Sequence, residues 1–502
     1  MTQIYYPLLI SLLVLACMLN HALRGTQKGR AWGAQLSSWL TGTGFVLAFA
    51  RLFYSPPSAS CTGFFITRLS QLIVPVILFI SWVVQTFSVR YMWGDRNFSL
   101  FFTRLSAITA GLCCLICADH IALFLISLGM SYALLIKLII HKPVWKASQQ
   151  SGCIALRYLR CSFFLIVLAV CLLAYETQSF YLSGMLEHRD RISAFGLSCA
   201  LLSLFLGALI LSAACPFHKW LISSLNAPTP VSALMHAGLI NGGGLLLIRF
   251  APLYEGRTVW MGLLLVCGLL TMTIGTCWTL IQSDIKRLLA CSTLAQMGFM
   301  LMQIGLGLFP AAIAHLCWHG MFKSCLFLRS GSSVQKKVLR DDSQAIPPVA
   351  YLLALVYALV GGLGFMFFFS SPIELTNASL FMASIIGVTT AQFAFEITVR
   401  TSLFLFLCQG TAISFLMGAL YAKSVGLVER LLFPDVAMAP TQVPALFWSA
   451  LVALVIPWLA MRCGLIDCVK QKKWWKRFYI VMLNASWPDR QTITTNKIDY
   501  QY

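Results

Sequence analysis

The sequence predicts an all-α polytopic membrane protein. Hydrophobic residues make up 59% of the 502 positions and charged residues only 10%, and the mean hydropathy is +0.82. Apolar runs of about 18 to 25 residues, the length that a helix needs to cross a bilayer, recur from Ile4 to Cys463. Together these observations exclude a water-soluble globular protein of ordinary composition.

The apolar runs define the predicted transmembrane helices in chain order. About fifteen can be recognised by length and composition. They cover residues 4–22, 36–54, 70–89, 100–118, 121–140, 158–175, 195–214, 229–251, 259–282, 287–307, 310–330, 348–370, 378–395, 401–422 and 443–462. We therefore predict about 14–15 transmembrane helices and no soluble catalytic domain.

The positive charges are concentrated in alternate loops. The chain carries a net charge of +20, and this distribution indicates membrane orientation rather than nucleic-acid binding. If the N-terminus lies outside, the inner loops contain most of the cations, among them Lys28, Arg30, Arg90, Lys142, Lys286 and Lys336. The positive-inside rule therefore predicts an outer N-terminus and a cytoplasmic C-terminus.

The chain divides into a membrane domain over residues 1–465 and a basic tail over residues 466–502. The tail segment from Lys472 to Tyr479 combines cations with aromatic rings, which suits either the anionic inner leaflet or a docked partner. The eighteen cysteines contain no paired C-x-x-C motifs of the zinc-binding kind. We therefore expect no metal and no cofactor in this chain.

Residues 226–244 contain two prolines and an ionisable side chain within a stretch that must cross the membrane. Pro228 and Pro230 lack a backbone donor, so we expect the helix to break and restart around Thr229. His236 follows about one and a half turns later. The pattern predicts a polar interior site for ion translocation. The alternative is a kinked helix whose histidine only hydrogen-bonds a carbonyl.

Three ionisable residues recur at four-residue steps in the predicted span 310–330. His315, His319 and Lys323 lie on one helical face and extend over about 12 Å. Histidine can donate and accept protons near neutrality, and a buried lysine readily loses its charge. This ladder is difficult to explain by packing and predicts a proton or cation relay.

Weaker accessory candidates have ordinary explanations beside the functional one. Lys137 lies near the inner end of its span, where its stem can reach the interface. Asp284 lies at a helix junction, where capping or pairing with Lys286 explains it. Glu396 and Arg400 are four residues apart and can pair with each other. We keep Lys137, Asp284 and Glu396 as possible accessory sites.

Several motifs resemble the antiporter-like subunits of respiratory complex I and of multi-subunit cation/proton antiporters. The resemblance covers roughly residues 80–335. It rests on Pro216-x-His218-x-Trp220, Pro228-Thr-Pro-Val-Ser-Ala-Leu-Met-His236, Ser283-Asp-Ile-Lys-Arg287 and His315-x-x-x-His319-x-x-x-Lys323. It implies two inverted five-helix repeats, each with a broken helix near mid-membrane.

Three departures separate the chain from the respiratory members of that family. Gly129 stands where those relatives usually carry a glutamate, and Leu211 stands where they carry a lysine. The span from Tyr351 to Ser370 contains no ionisable residue for the usual exit. These departures put a complete proton channel in both halves in doubt.

The remaining motifs resemble the DabB family, the membrane subunits of bacterial inorganic-carbon transporters. They are Phe217-His-Lys-Trp-Leu-x-Ser-Ser-Leu-Asn-Ala-Pro-Thr-Pro, His236-Ala-Gly-Leu-x-Asn-Gly-Gly-Gly and Arg249-Phe-Ala-Pro-Leu-Tyr254. The resemblance implies a non-catalytic subunit of the bacterial inner membrane that conducts protons or sodium. It also implies a hetero-complex with a DabA-like cytoplasmic zinc protein, related to carbonic anhydrases, that carries out the catalysis.

Other functions remain open from the sequence. The chain can instead be a proton-pumping subunit of NADH:quinone oxidoreductase (complex I) or part of a multi-subunit Na+/H+ antiporter. A purely structural anchor is disfavoured, because an anchor has no use for the three titratable groups of the ladder.

Overall fold

The computed structural model describes residues 2–54, 59–61, 63–331, 348–369, 377–398, 403–432 and 469–493, with a few further positions between 448 and 456. The first helices are α1 (Thr2–Ala22), α2 (Gln27–Tyr54), α3 (Arg68–Tyr91), α4 (Phe98–Cys117), α5 (Ile121–Ile139), α6 (Lys146–Thr177), α7 (Leu182–Glu187) and α8 (Ala194–Leu211). Strands β1 (Ala59–Cys61) and β2 (Phe64–Ile66) form a short antiparallel hairpin before α3.

The helices that follow include the most deeply buried parts of the chain. They are α9 (Lys219–Ser223), α10 (Thr229–Ala237), α11 (Gly242–Arg249), α12 (Thr258–Ile281), α13 (Ile285–Gly305), α14 (Phe309–Arg329), α15 (Pro348–Phe368), α16 (Asn377–Thr398), α17 (Leu403–Leu432) and α18 (Lys473–Ala485). In the most apolar 18-residue stretch of Thr229–Arg249, 89% of the residues are buried, compared with 22% in that of Pro7–Gly25. The centre of the fold is therefore built around α10 and α11.

Within the described residues, 11 helices are long and apolar enough to cross a membrane, and two shorter apolar helices cover Leu353–Phe368 and Ser379–Ala394. The prediction of an all-α polytopic membrane protein is confirmed. The predicted span 443–462 lies outside the described residues, apart from a few positions.

Polar side chains cap several helices where the sequence changes from loop to apolar run. The Asp284 carboxylate accepts a hydrogen bond from the backbone N–H of Arg287 at 2.8 Å, at the start of α13. The Ser193 hydroxyl accepts one from Gly196 at 3.1 Å, at the start of α8. Each cap satisfies a backbone donor that the first helical turn leaves free. The contact of Asp284 with the Arg287 backbone is therefore that of a helix cap, which was the simpler interpretation of this residue.

The C-terminal segment packs back onto one end of the membrane domain. Met482 and Ala485 of α18 pack against a buried cluster that includes Ile222 and Trp278. The backbone carbonyl of Thr492 accepts a hydrogen bond from the Asn226 side chain at 2.8 Å. We call this end of the domain the C-terminal side. It also contains the loops between α3 and α4 and between α5 and α6, which share a cavity with Asn226.

Candidate ion-translocation site

The two prolines mark the beginning of α10, directly after a short break in the helical backbone. Pro228 precedes the first helical residue, and Pro230 occupies the first turn, where a missing backbone donor costs little. The Pro228 carbonyl accepts the first bonds of the helix, from Val231 at 2.9 Å and Ser232 at 3.1 Å. The helical backbone thus stops at Asn226 and restarts at Thr229, where the sequence predicted a break, and a role of this break in ion translocation stays a prediction.

The interruption inside this span lies one turn beyond His236. Helix α10 ends at Ala237, residues Leu239–Asn241 form a 3-10 turn, and α11 begins at Gly242. The Asn241 side-chain amide donates to the Ala237 carbonyl at 2.8 Å. This bond satisfies a carbonyl at the interruption, as irregular backbone at membrane depth requires.

His236 is fully buried at the end of α10. Its ring stacks on Phe327 of α14, with 4.4 Å between centroids and 18° between planes. Neither ring nitrogen has a hydrogen-bond partner among the described residues. An intramembrane imidazole whose nitrogens have no fixed partner is able to bind a proton or pass one on.

His315 and His319 stack on each other along α14. Their ring centroids are 5.7 Å apart and their planes differ by 12°. Phe299 of α13 contacts the His315 ring edge-to-face at 5.1 Å. The four-residue spacing therefore aligns the two imidazoles on one face, where a proton can pass between them with little movement of the helix.

Lys323 completes the ladder in a buried position. Its side-chain amine donates to the Ser292 hydroxyl at 2.8 Å and to the Leu289 carbonyl at 3.3 Å, both on α13. These neutral oxygen atoms replace part of the hydration that a buried ammonium group loses.

Helices α10 and α14 approach closely beside the polar residues. A β-carbon added at Gly320 would lie 2.8 Å from the carbonyl oxygen of Ala237. This close approach brings His236 within electrostatic range of Lys323, and His319 within range of His236, His315 and Lys323. The four predicted translocation residues therefore form one buried group, which we call the polar cluster.

Two family profiles match the chain. The family described as "NADH:quinone oxidoreductase/Mrp antiporter, TM" matches residues 118–366, which include the whole polar cluster. The family described as "NADH-Ubiquinone oxidoreductase (complex I), chain 5 N-terminus" matches residues 58–102. Both matches agree with the resemblance that the motifs indicated.

The chain is 35% identical over 292 residues to the probable inorganic carbon transporter subunit DabB of Bacillus subtilis, a match that covers 58% of each chain. It is 36% identical over 297 residues to DabB1 of Halothiobacillus neapolitanus, covering 58% of this chain and 53% of that one. The predicted resemblance to DabB is confirmed. The matches span only a little more than half of these relatives' own length.

A chloroplastic NAD(P)H-quinone oxidoreductase subunit 5 of Lemna minor is 32% identical over 308 residues, covering 60% of this chain and 39% of that one.

Solved structures share the fold at lower sequence identity. The Mrp complex from Dietzia sp. matches with a TM-score of 0.60 and 21% identity, over 97% of this chain and 52% of that chain. The archaeal membrane-bound sulfane sulfur reductase matches with a TM-score of 0.60 and 15% identity, over 96% of both chains. The chain therefore has the antiporter-like fold that the motifs predicted.

The accessory candidates of this antiporter-like chain lie apart from the polar cluster. The Lys137 side chain is exposed on α5, which suits the interfacial interpretation. Asp284 caps α13. Glu396 falls within α16, but its side chain lies outside the described residues, so its role stays a prediction.

Ser292 and Asn241 were not singled out as site residues by the sequence reasoning. Ser292 contacts Lys323 from a different helix, and Asn241 bonds to the carbonyl at the interruption of its own span. Only the packing of α13 against α14 reveals the first contact, because a lone serine in an apolar run carries no positional signal. The asparagine was recognisable in principle, since an amide beside three glycines is unusual within a transmembrane run.

Proposed function

We propose that this chain is the cation-conducting membrane subunit that energises uptake of dissolved inorganic carbon, as CO2 or bicarbonate. The polar cluster of His236, His315, His319 and Lys323 carries the proposal, because buried titratable groups are costly in a membrane and mark ion pathways. The DabB names of the most similar curated relatives support the choice of substrate.

The cluster suits the movement of protons. An imidazole binds a proton at one nitrogen and releases one from the other, so stacked His315 and His319 can pass a proton along α14. Lys323 can take up or lose a proton while its Ser292 partner stays in place, because a hydroxyl both donates and accepts hydrogen bonds. Sodium is the alternative coupling ion.

In the proposed complex this chain carries out no catalysis. A DabA-like zinc protein on the cytoplasmic side hydrates CO2, and inward cation flow through this chain drives the overall process. The distribution of loop charges supports an outer N-terminus and a C-terminal side that faces the cytoplasm in this proposal. The zinc belongs to the partner in this proposal.

The first half of the fold has few residues with which to conduct ions. Gly129 of α5 faces the ring of Phe163, to which its added β-carbon would lie 3.3 Å away. Leu211 is buried at the end of α8. Neither position offers an ionisable group, which supports conduction through the half that contains α13 and α14.

The experiment is growth rescue at ambient CO2 in a host that lacks carbonic anhydrase, with the chain and its zinc partner expressed together. We expect rescue by the unmodified pair and loss of rescue by Lys323→Met and by His319→Gln, with unchanged amounts in the membrane. Lys28→Met and His188→Gln, at exposed positions, are the matched controls and should rescue. Full rescue by both cluster variants would overturn the proposal.

The second candidate is a subunit of complex I or of an Na+/H+ antiporter, favoured by the 32% identity to the chloroplastic subunit 5 and by the Mrp-like fold. Everted vesicles that contain the chain without a zinc partner distinguish the two functions. Sodium-stimulated proton movement in those vesicles would favour an antiporter, and co-purification with quinone-reducing iron–sulphur subunits would favour complex I.

A further inference from the structure

A cavity of about 450 Å³ opens on the C-terminal side, next to the start of α10. Asp95 and His141 line it from the loops that follow α3 and α5, and Lys286 lines it from α13. Asn226 and Pro228 contribute the segment that leads into α10. These three titratable side chains, with Tyr91 and Lys142, thus meet in one cavity that borders the helix of His236.

His141 and Asp95 form a close pair on one wall. The His141 Nε2 atom lies 3.1 Å from Asp95 Oδ1, and the histidine side chain is only 2% exposed. The same carboxylate oxygen accepts a hydrogen bond from the Asn97 backbone N–H at 2.7 Å, and Phe101 contacts the imidazole edge-to-face at 5.6 Å. Both members of the pair are therefore held in position.

Lys286 connects the cavity to the polar cluster. Its Nζ atom lies 3.4 Å from the carbonyl oxygen of Ala227, directly before Pro228. One helical turn further along α13, the Leu289 carbonyl accepts the hydrogen bond from Lys323. His236 is within electrostatic range of Lys286 as well as Lys323. Lys286 is thus a basic group that lines the cavity and lies one helical turn from an acceptor of Lys323.

We propose that this cavity is the proton-release site of the chain, with His141 as the proton acceptor and Asp95 as the residue that positions it. The inference rests on the proposed inward flow of protons. Lys286 gives its proton through water in the cavity to His141, which releases it to the solution, and the neutral Lys286 amine then takes up a proton from Lys323. Each group returns to its starting protonation state, so one proton is transferred and no bond other than N–H and O–H bonds changes.

The surroundings of His141 suit release. Burial lowers the pKa of His141, and the nearby positive charges of Arg104 and Lys142 act in the same direction, while the Asp95 carboxylate opposes them. Lys286 adds a further positive group to the lining of the cavity. His141 is therefore neutral near pH 7, where it can accept a proton and lose it readily to water.

The test is proton flux in everted vesicles from cells that express the chain with its zinc partner, in which the C-terminal side faces the bath. At a constant pH difference across the vesicle membrane, we expect the flux to fall when the bath is acidified below the ordinary titration range of histidine, because a protonated His141 cannot accept a proton. His141→Gln should slow the flux about tenfold at pH 7.5 and abolish this pH dependence. Asp95→Asn should keep most of the flux and shift the midpoint of its pH dependence to lower pH, because it removes the neighbouring negative charge.

Control variants separate a release site from general damage. His188→Gln and Asp190→Asn make the same chemical changes at exposed positions outside the cavity and should preserve both the flux and its pH dependence. A His141→Gln variant with the rate and pH dependence of the unmodified chain would overturn the release site. A flux that follows sodium concentration and ignores bath pH would also overturn it.

The same vesicles distinguish failure of this inference from failure of the proposed function. Lys323→Met should abolish the flux if the polar cluster conducts. Loss of flux in Lys323→Met together with unchanged flux in His141→Gln would refute only the release site. Unchanged flux in Lys323→Met would refute conduction through the cluster, and the release site with it.

Discussion

Lys323 and Ser292 are joined across two helices by a hydrogen bond of 2.8 Å between the side-chain amine and the hydroxyl. The partner of this buried lysine is thus a neutral group. A carboxylate at that position would favour the charged form of the lysine and resist its deprotonation. A hydroxyl can accept from the ammonium form and donate to the neutral amine, so the pair is compatible with both states that a relay needs.

Replacement of Ser292 by alanine should therefore slow cation flux without preventing membrane insertion. The lysine would keep only the Leu289 carbonyl, at 3.3 Å, and the loss of a hydrogen bond to a charged group costs about 1.5–3 kcal/mol. We expect the flux in vesicles to fall by about tenfold or more. Ser198→Ala is the matched control, because that exposed hydroxyl bonds within its own helix, to the Ala194 carbonyl. Equal flux in the two variants would show that the Ser292 contact has no role in conduction.

The close approach of α10 and α14 should be sensitive to a single methyl group. In Gly320→Ala the new β-carbon would lie 2.8 Å from the Ala237 carbonyl oxygen, so the helices must separate next to His236 and His319. Overpacking of this kind costs about 1–3 kcal/mol. We expect a lower melting temperature of the purified protein and a loss of growth rescue.

Gly262→Ala in α12 is the control for this substitution, because an added β-carbon there meets no atom within 4 Å. Its melting temperature should equal or exceed that of the unmodified protein, since alanine favours helix more than glycine does. A Gly320→Ala protein that melts and functions like Gly262→Ala would contradict the proposed tight contact.

Local periodicity made most of the fold and the ladder predictable from sequence. Apolar runs of sufficient length identify the spans, because a lipid-facing helix must satisfy its own backbone. The alignment of His315, His319 and Lys323 follows from the four-residue spacing alone. The resemblance to antiporter-like subunits, confirmed by the comparisons, added the overall fold, and the close approach of α10 to α14 came from the structure.

The features that the sequence missed depend on contacts between distant segments. The prolines identified the break at residues 226–230, but a second interruption lies at Gly238–Asn241, where the Asn241 side-chain amide donates to the Ala237 carbonyl. The pairing of Lys323 with Ser292 and of Asn226 with Thr492 joins residues far apart in the chain. No local pattern specifies such pairs.

Asn226 should hold the loop before α10 through three hydrogen bonds of its side-chain amide. The acceptors are the Ala147 carbonyl at 3.3 Å, the Ser151 hydroxyl at 3.0 Å and the Thr492 carbonyl at 2.8 Å. Asn226→Ala leaves these acceptors without that donor, at a cost of about 1–3 kcal/mol. We expect faster hydrogen–deuterium exchange in residues 486–493 of the purified protein. Asn484→Ala, at an exposed position, is the control. Equal exchange in both variants would show that the Asn226 hydrogen bonds do not hold the C-terminal segment in place.

Packing of the C-terminal segment should also weaken at acidic pH. His218 lies next to this segment, and the centroid of its ring is 4.5 Å from the ring centroid of Trp278. Burial lowers the pKa of His218 to about 4, and Lys219 adds to the effect, while the Ala485 backbone partly opposes it. An undocked state with an ordinary histidine pKa near 6.5 binds a proton that the docked state does not. Docking is therefore most favourable above pH 6.5 and loses stability as the pH falls toward 4.

Hydrogen–deuterium exchange of residues 486–493 measures this effect directly. After correction for the intrinsic pH dependence of exchange, we expect about tenfold less protection at pH 5 than at pH 7.5. His218→Gln cannot be protonated in this range, so its protection should be the same at both values. His188→Gln changes an exposed histidine and should keep the pH dependence of the unmodified protein. If the unmodified chain is equally protected at both pH values, protonation of His218 does not control the docking of the C-terminal segment.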